Sequence, residues 1–470
     1  MVNGISTSQQ DPKTTMKLPK SPKALPLIQL IQGIARPFDY LDAAAQECGD
    51  PFTMRSPGFP ISVVFSNPEA IQQIFTADPD CFETGTGSRV MQPVLGENSL
   101  IHLDGRSHQR QRKLLTPPFH GERMRTYGKI ICDIAEQVIN EWTIGNPRPI
   151  HPSMQEISLR VILRAVFGIN EGERLEQIRQ LLSSMLDSFN SPLSSSLLFF
   201  SFLQHDLGAW SPWGRFLRRR QGIDELLYAE IQERREQPEH SGNDILSLMM
   251  LARDEDGQPM TDLELRDELM TLLFGGHETT ASSLAWAFYW IHHLPEVRDK
   301  LLQELESLAR AADPTEIARL PYLSAVCSET LRIYPTVFFS LPRIVKSPIE
   351  VMGYPFEPGI MLSPCIYLTH HREDIYPEPK RFKPERFLER QFSPYEYLPF
   401  GGGNRRCIGY AFALFEMKLV LATVLSRFQF SLADNSPVKP VRRGITTTPS
   451  GGVPMILTGK LQKAGTPVHV

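Results

Sequence analysis

Paired cysteines, a one-sided charge and a clean membrane span are all missing from this chain. The six cysteines (Cys48, Cys81, Cys132, Cys327, Cys365 and Cys407) are scattered without a CxxC pair, which excludes a disulfide framework and suits a reducing cytosol. Lys and Arg total 49 against 53 Asp and Glu, a net charge of −4, so a strongly basic nucleic-acid binder is excluded. The longest apolar stretch, Leu269–Ile291, carries His277 and Glu278 near its middle, where charge is costly in lipid. That segment reads instead as a long buried helix, and no transmembrane anchor is expected. The N-terminus has Lys13, Lys17, Lys20 and Lys23 among prolines and no secretory apolar core. Internal repeats and a Gly/Ser linker are also absent, which favours one compact unit.

Proline and phenylalanine are abundant: 39 prolines, and 26 Phe against 12 Tyr and 5 Trp. Ordered irregular chain around an apolar interior follows from that balance. Residues 1–26 read as a flexible arm and 27–470 as one large domain. From 27 to about 100, short apolar runs such as ISVVF alternate with turn signals, as in a small sheet. Helical spacing dominates from about 100 to 335, and strands, Pro-rich turns and one more helix follow. The fold class is therefore mainly α with small β-sheets (α+β). Leu25–Ile34 is apolar but short and broken by Pro26, Gln29, Gln32 and Gly33, so the chain is expected to be cytoplasmic and at most peripheral to a membrane.

The most informative segment runs Phe400-Gly401-Gly402-Gly403-Asn404-Arg405-Arg406-Cys407-Ile408-Gly409. Its glycines allow a tight turn and close approach to something flat or bulky. Cys407 is expected at a helix start, where the dipole and free N–H groups favour thiolate, with Arg405 and Arg406 adding positive charge. A tyrosine-phosphatase loop needs arginine six positions on, which is Ala413, and a phosphate loop needs Lys and Ser/Thr after its last glycine. A zinc site needs nearby ligands, yet Cys365, His370 and His371 lie more than thirty residues upstream. An inert cysteine after a glycine turn is the bland alternative. A thiolate held as the axial ligand of haem iron is the remaining chemistry.

Here the sequence resembles the cytochrome P-450 family of haem-thiolate monooxygenases. Its Phe-x-x-Gly-x-Arg-x-Cys-x-Gly pattern is met by Phe400, Gly403, Arg405, Cys407 and Gly409. The resemblance implies a single large haem domain, haem b held by Cys407 and shielded by Phe400, and Arg405 on a propionate. It makes Glu329, Arg332 and Arg386 a buried clamp below the haem, and His108, Arg112 and Arg343 further propionate partners. The family often has Trp where His108 stands; His108 follows another bacterial variant.

On the long helix, Gly275, Glu278 and Thr279 lie within about 100° of one face. His277-Glu278 begins a zinc-peptidase HExxH, but its second His would be residue 281, which is Ala. The resemblance makes Glu278 and Thr279 the acid–alcohol pair that relays protons to dioxygen. One oxygen atom would enter a C–H or C=C bond and the other leave as water. After Cys407, 470 − 407 = 63 residues remain, too few for a reductase domain, and Gly85-Thr86-Gly87 lacks its third fingerprint glycine at Val90. NAD(P)H is therefore expected to act only indirectly, through a separate ferredoxin or flavodoxin with its reductase. Arg110, Lys113, Arg123, Arg125 and Arg406 are candidates for a basic docking face.

Positions expected to line the pocket are Thr84–Leu100, residues 197–210, Phe274, Val337–Leu341 and Gly451–Val453. They are largely apolar and suit a fatty acid, alkane or terpenoid. Arg89 is a candidate carboxylate anchor, although an exposed loop arginine is the plainer reading. A haem-binding sensor or carrier without turnover, needing neither proton relay nor substrate cavity, is the competing class.

Overall fold

A computed structural model describes residues 18–119, 123–168, 172–187, 197–198, 203–237, 242, 244–308 and 313–461. The helices used below are α1 (Pro26–Ala35), α2 (Gly105–Leu115), α3 (Arg123–Asn140), α4 (His151–Phe167), α5 (Asp262–His293), α6 (Pro321–Ile333) and α7 (Tyr410–Arg427).

Helix α5 is the axis of the molecule, 32 residues long. A capping box opens it: the Thr261 hydroxyl accepts the Glu264 N–H, and the Glu264 carboxylate accepts the Thr261 N–H. His292 and His293 stand in its last turn, facing the negative end of the dipole. Leu265, Leu269, Leu284, Phe288 and Ile291 are wholly buried against α4, α6 and α7, so its apolar length is core. Among the described residues no helix is long and apolar enough to cross a membrane.

The main sheet joins distant parts of the chain. Its strands are β1 (Phe52–Met54), β2 (Ser62–Phe65), β3 (Phe82–Glu83), β4 (Arg343–Val345) and β5 (Met361–Pro364), in the order β1-β2-β5-β4-β3. Strands β2 and β5 pair in parallel and the others antiparallel. The Ser62 and Ser363 hydroxyls meet at 2.8 Å across that parallel pair. A separate hairpin of β6 (Pro440–Arg443) and β7 (Thr446–Pro449) lies against α5.

The end of the expected arm is anchored. Thr53 donates its N–H to the Lys20 carbonyl at 2.7 Å and its hydroxyl to the Pro19 carbonyl at 2.8 Å. Residues 18–25 thus belong to the folded body, because one threonine supplies two donors to otherwise unpaired carbonyls; residues 1–17 lie outside the described residues. Helix α1 is turned opposite to an ordinary amphipathic helix. Gln29 is buried, donating to the Pro22 and Ala24 carbonyls and accepting from the Tyr40 hydroxyl, while Leu27 and Ile31 are 58% and 57% exposed.

Candidate active site

The cysteine loop is shaped by close approach to protein. Gly401 and Gly403 sit at φ 65° and 62°, in the left-handed region. A Cβ on Gly402 would lie 2.3 Å from the Phe75 ring, and one on Gly403 2.7 Å from the Phe75 carbonyl. The bulky neighbour inferred for these glycines is thus Phe75. The Cys407 N–H closes the loop on the Phe400 carbonyl at 2.9 Å. Helix α7 begins only at Tyr410, so Cys407 precedes the helix rather than opening it. Burial raises the Cys407 thiol pKa, partly offset by the Gly409 N–H and by Arg112 and Arg406. The Cys407 side chain is nonetheless exposed, and bonding to a metal ion would hold it as thiolate.

Around the loop the predicted cations converge. His108, Arg112, Arg343 and Arg405 influence one another, and Asp104 is the acid among them. Asp104 immediately precedes α2, yet it does not cap that helix. Its carboxylate instead accepts the Thr84 and Gly85 N–H groups and takes Arg405 Nη2 at 2.5 Å. Burial, with the neighbouring cations, lowers His108 to about 3, Arg343 to about 9 and Arg405 to about 10. The Arg405 Nε is buried without a partner. Among the described residues, the side chains of His108 and Arg112 have no hydrogen-bond or ion-pair partner. Three arginines against one aspartate leave an excess of two positive charges (3 − 1 = 2). Two carboxylates are what a haem presents, so this chain fits the group. Gly409 fits it too, because nothing lies within 4 Å of where a Cβ would stand.

On α5 the two glycines do different things. Nothing lies within 4 Å of a Cβ on Gly275, which faces open space, whereas one on Gly276 would be 3.1 Å from Ile162 of α4. The Thr279 hydroxyl donates to the Gly275 carbonyl at 2.8 Å, leaving its lone pairs as acceptors. Glu278 has partners of its own. Its carboxylate accepts from Gln155 of α4 at 2.7 Å and lies 3.4 Å from His151 Nε2 and 3.7 Å from Arg443 Nη1. Burial works to raise its pKa, but His151, Arg443 and His277 outweigh it and hold the acid at about 2. Glu278 is thus an anchored carboxylate. His151, Gln155, Ser158 and Ile162 recur at spacings of four, three and four along α4, facing this part of α5. That stripe is the signal by which the partners of Glu278 were available in the sequence.

Below the loop, the clamp is complete and buried. Arg332 donates to Glu329 through Nε at 2.6 Å and Nη2 at 2.8 Å, and Arg386 Nε reaches Glu329 at 3.1 Å. Arg332 Nη1 also donates to the His370 and Pro379 carbonyls. His370 Nε2 accepts the Leu398 N–H at 3.0 Å, so its Nδ1–H donates to the Arg332 carbonyl. Leu398 lies two residues before Phe400, and the clamp thereby supports the cysteine loop.

The strand of chain beside the cradle depends on a second buried acid. Glu268 accepts the Leu100 N–H at 2.8 Å, and the Leu100 carbonyl accepts from Arg405 at 3.3 Å. Burial pushes Glu268 up to about 8, offset in part by Gln111 and Leu100 and reinforced by Asp267 and Glu264. Its native carboxyl therefore keeps a proton that the unfolded chain loses near 4.5, so folding stability falls as pH rises between those values. Glu268→Gln is expected to reduce that loss and to melt several degrees above the parent at pH 8, measured by thermal scans at pH 5 and pH 8.

The expected basic docking face is largely neutralised. Arg110 pairs with Asp254 and Glu264, Lys113 with Glu255, and Arg125 with Asp313, because acids far along the chain fold back onto them. The Arg123 side chain lies outside the described residues, and the exposed Arg406 stacks 3.9 Å above the Tyr410 ring. Of the expected pocket residues, Phe199, Phe200 and Phe202 lie outside the described residues, while Phe338 and Phe339 pack with Phe38 and Cys365. Arg89 is exposed, as the plainer reading held. Among the described residues no three His, Cys, Asp or Glu side chains form a metal-binding group.

A glycine-turn cysteine beside a cradle with two excess positive charges, on a mainly helical frame, defines a haem-thiolate protein. The chain belongs to the cytochrome P450 family, whose model matches residues 19–454. It is 36% identical over 441 residues, 93% of this chain and 91% of the relative, to a Mycobacterium tuberculosis protein named cytochrome P450 135B1. A second protein of that organism, named cytochrome P450 135A1, is 33% identical over 96% of this chain and 97% of its own. Among solved structures, retinoic acid-bound cyanobacterial CYP120A1 matches with a TM-score of 0.83 at 25% identity, covering 95% of this chain and 100% of that one. The cytochrome P450DA haem domain matches with a TM-score of 0.82 at 21% identity, over 95% and 98%, a likeness of fold. The cofactor of the family is haem with a cysteine thiolate ligand, reduced through a redox partner.

Proposed function

We propose that this chain is a monooxygenase that inserts one atom of dioxygen into a C–H or C=C bond of a hydrophobic small molecule, with Cys407 as the axial ligand of haem b. The observation that carries this is the Cys407 loop lying beside a partly buried cradle two positive charges in excess. When bound, the haem supplies oxygen activation and electron transfer. Arg112, Arg343 and Arg405 hold its carboxylates, neutral His108 donates a hydrogen bond, and Phe400 shields the sulfur from water. Thr279, beside the open face of Gly275, delivers protons at its hydroxyl oxygen. Glu278, fixed by Gln155 and His151, holds its end of the proton path in place as a carboxylate.

A fatty acid, alkane or terpenoid suits the apolar positions around Phe274, and the structural relative with retinoic acid bound accommodates an apolar chain of that kind. Electrons come from a separate ferredoxin or flavodoxin with its reductase, and NAD(P)H acts only through that partner. Six free cysteines suit a cytoplasmic site, and the outward apolar side of α1 is the surface through which a membrane would be touched. A sensor or carrier needs no hydroxyl beside an open helix face, so Gly275 and Thr279 favour turnover.

Thr279→Ala is expected to keep the fold and bound haem while diverting electrons into hydrogen peroxide, with product per electron falling roughly tenfold. The check is peroxide and product measured together against electrons consumed. Unchanged coupling would remove Thr279 from the proton path.

A further inference from the structure

Glu416 lies on α7, nine residues after Cys407 (416 − 407 = 9), and is wholly buried. Its Oε1 is 2.7 Å from the Ser158 hydroxyl of α4, its Oε2 has no partner, and no cation offsets it. Burial pushes the carboxyl up to about 8, with Ser158 alone acting against it. Ser158 Oγ is also 3.2 Å from the Gly276 carbonyl of α5.

A hydroxyl has one proton to give. Were Glu416 ionised, Ser158 would donate to it and leave a buried charge with no cation, and no hydroxyl would be donated to Gly276. With Glu416 protonated, its O–H donates to Ser158 and Ser158 donates to Gly276. Every donor is then used. The adjacent Gly275 carbonyl takes the Thr279 hydroxyl at 2.8 Å, so two consecutive carbonyls of α5 receive side-chain hydroxyls. Such bonds compete with the helix ladder and bend it locally. Gly276, pressed against Ile162, fixes how far that turn can move.

We propose that Glu416 is a positioning residue which, through Ser158, sets the Gly275–Gly276 turn of α5 and hence where the Thr279 hydroxyl stands. This rests on Thr279 delivering protons, as proposed above. The test compares holoenzymes of Glu416→Gln, Glu416→Leu, Ser158→Ala and Thr279→Ala. Each is run with a surrogate ferredoxin and reductase and the fatty acid or terpenoid giving the largest spin-state shift. Peroxide per electron and the spectrum of the reduced carbon monoxide complex are read together. Ser158→Ala and Glu416→Leu should keep the spectrum but raise the peroxide share about fivefold, the effect of one lost hydrogen bond. Glu416→Gln, whose amide also donates, should restore the parent value. Parent-like coupling in Ser158→Ala while Thr279→Ala leaks peroxide would overturn the inference and leave the Thr279 role standing. Damage in Glu416→Gln equal to that in Glu416→Leu would also overturn it. Should Glu416→Leu fail to fold, Ser158→Ala decides alone. Parent-like coupling in Thr279→Ala would instead remove the proton-delivery role itself.

Discussion

Cys407→Ala is expected to fold and yet lose the long-wavelength Soret band of the reduced carbon monoxide complex, with monooxygenase turnover falling to background. The side chain supports no disulfide, and the loop is closed by its backbone N–H on Phe400, which alanine retains. Circular dichroism should therefore match the parent. The loss is electronic. The thiol lies above its ordinary range here, with the Gly409 N–H, Arg112 and Arg406 drawing it down. The negative charge that metal binding calls for on the sulfur disappears with the sulfur. Cys407→His should give the shorter-wavelength band of an imidazole ligand. A long-wavelength band surviving in the alanine variant would show that another side chain holds the iron, and the proposed function would fail with it.

What was legible in the sequence had local spacing behind it. The loop from Phe400 to Gly409, the Glu329–Arg332 pair three residues apart and the His108–Arg112 pair on one helix face each declare themselves over a few residues. What was hidden depends on long-range partners. Glu278 sits beside Thr279 in sequence, but the groups that fix it do not. Its carboxylate is held by Gln155, 123 residues earlier, and by Arg443 from the far side. The basic residues at 110, 113 and 125 looked like an unopposed patch because Asp254, Glu255, Glu264 and Asp313 lie more than a hundred positions away. Likewise, the glycines at 402 and 403 announced close approach but not to what; only the fold brings Phe75 against them. The main sheet was half visible for the same reason, since β2 pairs with β5 across some three hundred residues.

Arg332→Ala is expected to fail differently from Cys407→Ala: little folded holoprotein should form at all. Arg332 and Glu329 are both wholly buried, and Arg386 completes the cluster. Removing one partner leaves Glu329 buried with half its donors and strands the His370 and Pro379 carbonyls, a loss of about 3–5 kcal/mol. That is a large share of the 5–15 kcal/mol by which a folded protein ordinarily exceeds its unfolded state. Arg332→Lys keeps the charge but cannot form both bonds to Glu329 while reaching the two carbonyls, so it should rescue little. The damage should spread to the cysteine loop, because the Arg332 carbonyl orients His370, and His370 holds Leu398 just ahead of Phe400. Haem retained per folded chain and the urea midpoint at neutral pH are the measurements. A variant with parent-like values for both would mean that the clamp is not what holds the loop beneath the haem. A variant that folds normally but releases haem would confine its role to the His370–Leu398 path.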